Sequence, residues 1–316
     1  MAINQEDFLN ELDFCLEHND IIKAKALLQF ASDSDISSDL QKKAMGHLAR
    51  GPENIVFPLL EYLTHLAISD VSVQDAIYEL ILDKAYGNTP LLLEYIRTGK
   101  EKRTRILFLR AAGDLMLAPA FDELSEILLQ ETDREILLTA ITSMGQLQLP
   151  TGIAPLTVMA QNPDRDIRLK AILAIGRIST PEAVEALAGF LGTDEQTSKM
   201  AVEAMAEIQN LNALQKITSL LGSSNTLIRD TAIDQLIKMG KKATPIITRA
   251  FQDANPDYLI HLITTLGYIG DAAAVPTLVS IINTQPENAN IRQAVYESME
   301  RIPSQKTAIC LAQGSE

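Results

Sequence analysis

The stretch Asp164-Arg165-Asp166-Ile167-Arg168-Leu169-Lys170-Ala171-Ile172-Leu173-Ala174-Ile175-Gly176 recurs, in looser copies, on both sides of itself. Arg110-Ala111-Ala112-Gly113 and Ile141-Thr142-Ser143-Met144-Gly145 precede it, and the series runs on through Ala206, Ile237, Gly267 and Glu300. With that last position as a ruler, consecutive spacings from Gly113 are 32, 31, 30, 31, 30 and 33 residues. So regular a period marks an array of one supersecondary unit.

The columns around the ruler say what the unit is. One place before it stand Ala112, Met144, Ile175, Met205, Leu236, Leu266 and Met299; four places before it stand Leu109, Ile141, Ile172, Val202, Ile233, Ile263 and Tyr296. A mostly small column precedes these: Phe108, Ala140, Ala171, Ala201, Ala232, Leu262 and Val295. Two places after the ruler stand Leu115, Leu147, Ile178, Ile208, Met239, Ile269 and Ile302. Steps of one, three and three residues put these positions on one face of a helix. Twelve places before the ruler come Asp133, Asp164, Asp194, Asn225, Asn255 and Asn288. Their short polar side chains suit the start of that helix, where they accept from backbone N–H groups that lack a helical partner. A row of acidic ligands would not tolerate three neutral Asn.

A shorter apolar-periodic segment, such as 183–191, 211–221 or 275–282, fills the gap before the next cap. Pro155, Pro245 and Pro276 fall near its beginning, where a missing N–H costs little, and Pro58 is expected to do the same in an earlier unit. The repeat is therefore two antiparallel helices, and such hairpins bury their apolar faces only by stacking. Before Gly113 the pattern weakens. Ile77, Leu80 and Leu82 fit with Ile81 as anchor, Met45, Gly46 and Leu48 suggest another unit, and Phe8, Leu12, Leu16, Ile22 and Leu27 mark two leading helices.

The step Asp164 to Arg168 followed by Ala171 to Gly176 resembles the second helix of a HEAT repeat, in the short form of the phycobilisome lyases. Ile228-Arg229 and Ile291-Arg292 repeat its Ile-Arg step, and Ala274-Val275-Pro276-Thr277-Leu278 resembles the first helix of the unit. The resemblance covers about residues 104–302 well. It implies an all-α fold, a right-handed alpha-alpha superhelix (HEAT/armadillo-like solenoid) of about eight or nine helix pairs. One domain over 1–316 is expected: divergent pairs in 1–95, regular repeats in 96–302, and in 303–316 the start of a further repeat. Ser304 to Ala312 begins a first helix without its partner, which suggests part of a longer protein. Where the family often has Arg, this chain has Leu137, Ser198 and Leu259, so a continuous Asp–Arg ladder is interrupted.

Composition narrows the function classes. The 316 residues are 47% apolar, with 27 basic against 41 acidic residues and a net charge of −14. This balance opposes a general grip on phosphate backbones, so nucleic acid is not an expected partner. No apolar run reaches the roughly 18 residues that span a bilayer, and the first residues do not form a signal peptide. Cys15 and Cys310 are the only cysteines, too few for a disulfide framework. A cytoplasmic location is expected. The four histidines, His18, His47, His65 and His261, stand apart from one another and from metal-ligand spacing, and no His-Glu pair occurs. No catalytic, metal-binding or cofactor-binding set is expected, and no cofactor; the chain does not read as an enzyme.

Two surfaces remain. Along the exposed side of the second helices, the concave wall of HEAT-type solenoids, the candidates for partner binding are Leu173, Arg177, Glu203, Glu207, Asp234, Lys238, Tyr268, Glu297 and Arg301. Leu173 and Tyr268 are the apolar anchors among them, and interface energy concentrates in a few such side chains. A basic cluster, Arg97, Lys100, Lys102, Arg103, Arg105 and Arg110, is the candidate seat for an anionic partner. The expected function is a non-enzymatic scaffold or regulatory module that binds a protein or peptide, including other domains of its own polypeptide. The resemblance adds a bacterial signalling context and, as alternatives, a bilin lyase or chaperone-like accessory protein and a HEAT-like DNA-binding protein.

Overall fold

In the computed structural model the residues described are 4–33, 38–66, 70–99, 101–285 and 287–303. Among them the chain forms nineteen α-helices and no strand. Two compact units divide it, Met1–Leu149 and Pro150–Glu316.

The first unit holds α1 (Gln5–Glu17), α2 (Ile21–Asp33), α3 (Ser38–Leu48), α4 (Glu53–His65), α5 (Val71–Gly87), α6 (Thr89–Thr98), α7 (Lys102–Asp114), α8 (Phe121–Gln130) and α9 (Arg134–Gln146). The odd-numbered helices pack on one another in chain order, and the even-numbered ones cover them. The second unit repeats the plan. Its short first helices are α10 (Ile153–Met159), α12 (Pro181–Ala188), α14 (Leu211–Ser219), α16 (Thr244–Ala250) and α18 (Val275–Thr284). Its second helices, α11 (Arg165–Ile178), α13 (Glu195–Glu207), α15 (Thr226–Met239), α17 (Pro256–Ile269) and α19 (Ala289–Arg301), each pack on the next.

The columns explain this packing. Every member of the column one place before the ruler is fully buried, and so is every member of the small column. Each of the six Asp/Asn positions caps its helix. Asp164, for example, accepts from the N–H groups of Asp166 and Ile167 at 2.9 and 3.2 Å. Asp133 and Asp194 do likewise, and Asn225, Asn255 and Asn288 each accept one N–H. Ruler glycines let second helices approach closely: a Cβ on Gly113 would lie 2.7 Å from the Cα of Ser143, and one on Gly267 2.7 Å from that of Ser298.

Other expectations need correction. Pro58 sits inside α4 rather than in its first turn. Its ring leaves the carbonyl of Asn54 without a helical donor, and Asn54 is exposed, so water can take that role. Ile22 is 85% exposed; α2 turns Ala24, Leu28 and Ala31 inward instead. In the first unit the core also includes an aromatic group, Phe57, Tyr95 and Phe108, with the Tyr95 and Phe108 rings edge to face at 5.7 Å. Lys84, almost wholly buried in α5, donates from Nζ to the carbonyl of Gly51 at 2.9 Å. The further helix expected from Ser304 onward, with Cys310, lies outside the described residues.

Candidate docking surface

In the second unit, α11, α13, α15, α17 and α19 stand side by side, each burying its residue of the small column and the one just before the ruler. Their opposite faces bring together all nine candidate wall residues. Leu173 and Arg177 are exposed on α11, Glu207 on α13, Asp234 and Lys238 on α15, Tyr268 on α17, and Glu297 and Arg301 on α19; Glu203 on α13 is half-buried. Leu173 is 40% and Tyr268 55% exposed, the two large apolar side chains among the nine. The guanidinium of Arg301 lies over the Tyr268 ring, 4.8 Å from its centroid, which joins α19 to α17 across the face. Glu297 accepts from the side-chain amide of Gln293 at 2.9 Å.

The basic cluster has a different character. Arg97 pairs with Glu123 at 2.6 Å, and Arg105 with Glu131 at 2.9 Å. Lys102 reaches both Asp133 and Glu135 at 2.9 Å, and these carboxylates raise its pKa. Arg110 pairs with Asp114 and lies over the Tyr78 ring at 4.2 Å. Four of the cations are thus matched by carboxylates, three of them by carboxylates of the α8 to α9 segment. Arg103 is exposed, and Lys100 lies outside the described residues. The pairs of Arg97, Lys102 and Arg105 tie successive hairpins together, that of Arg110 lies within α7, and the four leave little charge for an outside anion. Sequence reading missed them because each partner comes 26 to 33 residues later or, for Arg110, sits beyond the cluster.

The remaining polar groups serve structure. The Nδ1 of His47 lies 2.7 Å from Asp13 Oδ1, joining α3 to α1. The ring of His18 stacks on Phe14, and burial lowers the pKa of His261. The side chain of His65 lies outside the described residues. Cys15 is buried, and its pKa is raised chiefly by that burial. Among the described residues no group of three or more His, Cys, Asp or Glu side chains could hold a metal ion, and no helix is long and apolar enough to cross a membrane.

The bilin biosynthesis protein PecF of Nostoc sp. (strain PCC 7120) is 24% identical over 99 residues, which are 30% of this chain and 57% of PecF. The chain thus aligns with little more than half the length of that relative. The complex of CpcE and CpcF of phycocyanin lyase from Nostoc sp. PCC7120 has 14% identity and a TM-score of 0.39, covering 72% of this chain and 92% of that one. The Escherichia coli protein YibA has 17% identity and a TM-score of 0.41, covering 82% of this chain and 96% of the other. A family model described as HEAT repeats matches residues 121–198 and 243–315. The resemblance read from residues 164–176 is borne out by that match, which recognises HEAT repeats over those two stretches of the chain.

Proposed function

We propose that this chain is a non-enzymatic docking module that holds a protein partner along the exposed faces of α11, α13, α15, α17 and α19. One observation carries the reading: five successive helices present a row of exposed side chains that includes two large apolar ones, Leu173 and Tyr268. Apolar and aromatic anchors within a polar surround are what a protein interface needs at its centre. Pull-down with the full chain as bait tests it. The double variant Leu173→Asp/Tyr268→Asp keeps its fold, since neither side chain is in the core, and loses the partner. Retention of every captured protein by that variant would contradict the reading.

A second reading draws on the match to PecF, whose name assigns it to bilin biosynthesis. On that reading the module is a lyase subunit or chaperone that holds a linear tetrapyrrole or its acceptor protein. Absorbance spectroscopy of the chain mixed with a linear tetrapyrrole separates the two: a shifted, sharpened band supports the lyase-like role, and an unchanged spectrum supports the docking module alone.

A further inference from the structure

Two places before the ruler stand Ala111, Ser143, Ala174, Ala204, Gln235, Thr265 and Ser298, all buried where one second helix faces its neighbours. Six are small. Of the polar members, Ser143 donates to the carbonyl of Leu109, Thr265 to that of His261 and Ser298 to that of Ile263. Gln235 breaks both rules: it is the long member, only 9% exposed, and its side-chain amide has no protein partner among the described residues. It lines a cleft of about 320 Å³ between α13, α14 and α15, together with Ala206, Glu207, Leu214, Lys238, Met239 and Lys242. Its amide N and O are not among the buried polar atoms without a partner, so they reach the open space of the cleft and are free to meet a ligand there.

Charge says what fits. Lys238 and Lys242 are exposed, and neither has an ion pair with a described residue, in contrast to the paired cations of the first unit. They flank the C-terminal end of α15, where positive φ at Gly240 turns the chain. Against these two cations the lining holds one carboxylate, Glu207, so its side chains carry a net positive charge. Ala206, Leu214 and Met239 supply an apolar wall. A volume near 320 Å³ is at the small end of ligand pockets, enough for one residue and not for an extended cofactor.

We propose that this cleft seats the free C-terminal carboxylate of a polypeptide ending in an apolar residue. The lysines attract the carboxylate, and the N–H of the Gln235 amide donates to it while the amide oxygen accepts from the terminal residue's own backbone N–H. The apolar side chain lies against Leu214 and Met239. A phosphate, or a carboxylate on a side chain, offers no such adjacent N–H for the amide oxygen. The proposal rests on the docking reading above and gives the partner's chemistry at one point of that surface.

Fluorescence anisotropy with the full chain tests it, using fluorescein-labelled Gly-Ser-Gly-Ala-Leu with a free carboxylate, the same peptide as its C-terminal amide, and Gly-Ser-Gly-Ala-Glu as its amide. The free acid is expected to bind saturably, and both amides at least about tenfold more weakly. Lys238→Glu/Lys242→Glu loses the free acid, Gln235→Leu weakens it severalfold, and circular dichroism shows each variant folded. Equal binding of acid and amides, indifference to the charge reversal, or no saturation up to about 1 mM would overturn the proposal. The Leu173→Asp/Tyr268→Asp variant separates the two readings, since it loses the partner and still binds the peptide. A chain that keeps its partner through Leu173 and Tyr268 while ignoring the peptide refutes the cleft and leaves the docking surface standing.

Discussion

A methyl group on Gly267 would meet the Cα and side chain of Ser298 at 2.7 Å, and backbone cannot step aside as the tip of a side chain can. Gly267→Ala should therefore cost about 1–3 kcal/mol by overpacking, read as a lower midpoint in urea. The opposite change is expected three places after the ruler. Met116, Gln148, Ser179, Gln209, Gly240 and Gly270 all have positive φ there, ending each second helix. Only two of the six are glycine, the residue that adopts this backbone without strain. Met116→Gly, at an exposed side chain, should stabilise the chain by up to about 1 kcal/mol; an unchanged or lower midpoint would contradict this. Asp70, the N-cap of α5, accepts hydrogen bonds from the Ser38 hydroxyl first and then from Ser72, which hold its pKa at about 2. A depressed carboxylate contributes stability that is complete above its ordinary value and lost as pH falls through the folded value. Denaturation curves between about pH 5 and 2 should thus show a steeper loss for the parent chain than for Asp70→Asn, and identical slopes would refute the assignment.

At the scale of the helix, the ion pairs of the first unit differ in worth because they differ in exposure. Arg105 and Glu131 are one-fifth exposed or less, and Glu131 also accepts from the backbone N–H groups of Thr132 and Asp133, which with Arg105 lower its pKa. Glu131→Gln should cost about 1 kcal/mol. Glu123→Gln, which breaks a pair whose Arg97 is 62% exposed, should change stability by less than about 0.5 kcal/mol. Equal effects from the two would show that burial does not govern these pairs. The interrupted Arg column reads the same way. Arg168 approaches Asp194 only at 3.9 Å and donates to Thr197 at 3.1 Å, whereas the buried Ser198 accepts from the N–H of Gly192 at 2.9 Å and Leu259 is buried without a polar group.

For the molecule as a whole, the repeat was legible because its information is one-dimensional. Each buried column recurs at a fixed spacing, so Met205 or Leu266 can be placed without knowing the fold. The caps were equally plain, since Asp or Asn stands at that position in six successive repeats, from Asp133 to Asn288. Legibility ended where a position depends on its neighbours in space. Gln235 looks like an ordinary polar helix residue until its column is known to face the next helix. The carboxylates that match Arg97 and Arg105 lie in the next hairpin. Ile22 misled because an apolar residue in a first turn points outward as readily as inward when the following helix fixes the register. Of the wall, sequence gave the side chains and their common face, and the chemistry of a partner entered only with the cleft. The most direct test of the docking surface is a photo-crosslinking scan with benzoylphenylalanine at Leu173, Tyr268 and Glu297, against Val158 and Leu211, which are exposed on the covering helices α10 and α14. The account predicts adducts with one partner from the first three positions and none from the last two. Adducts from Val158 or Leu211 alone would contradict it.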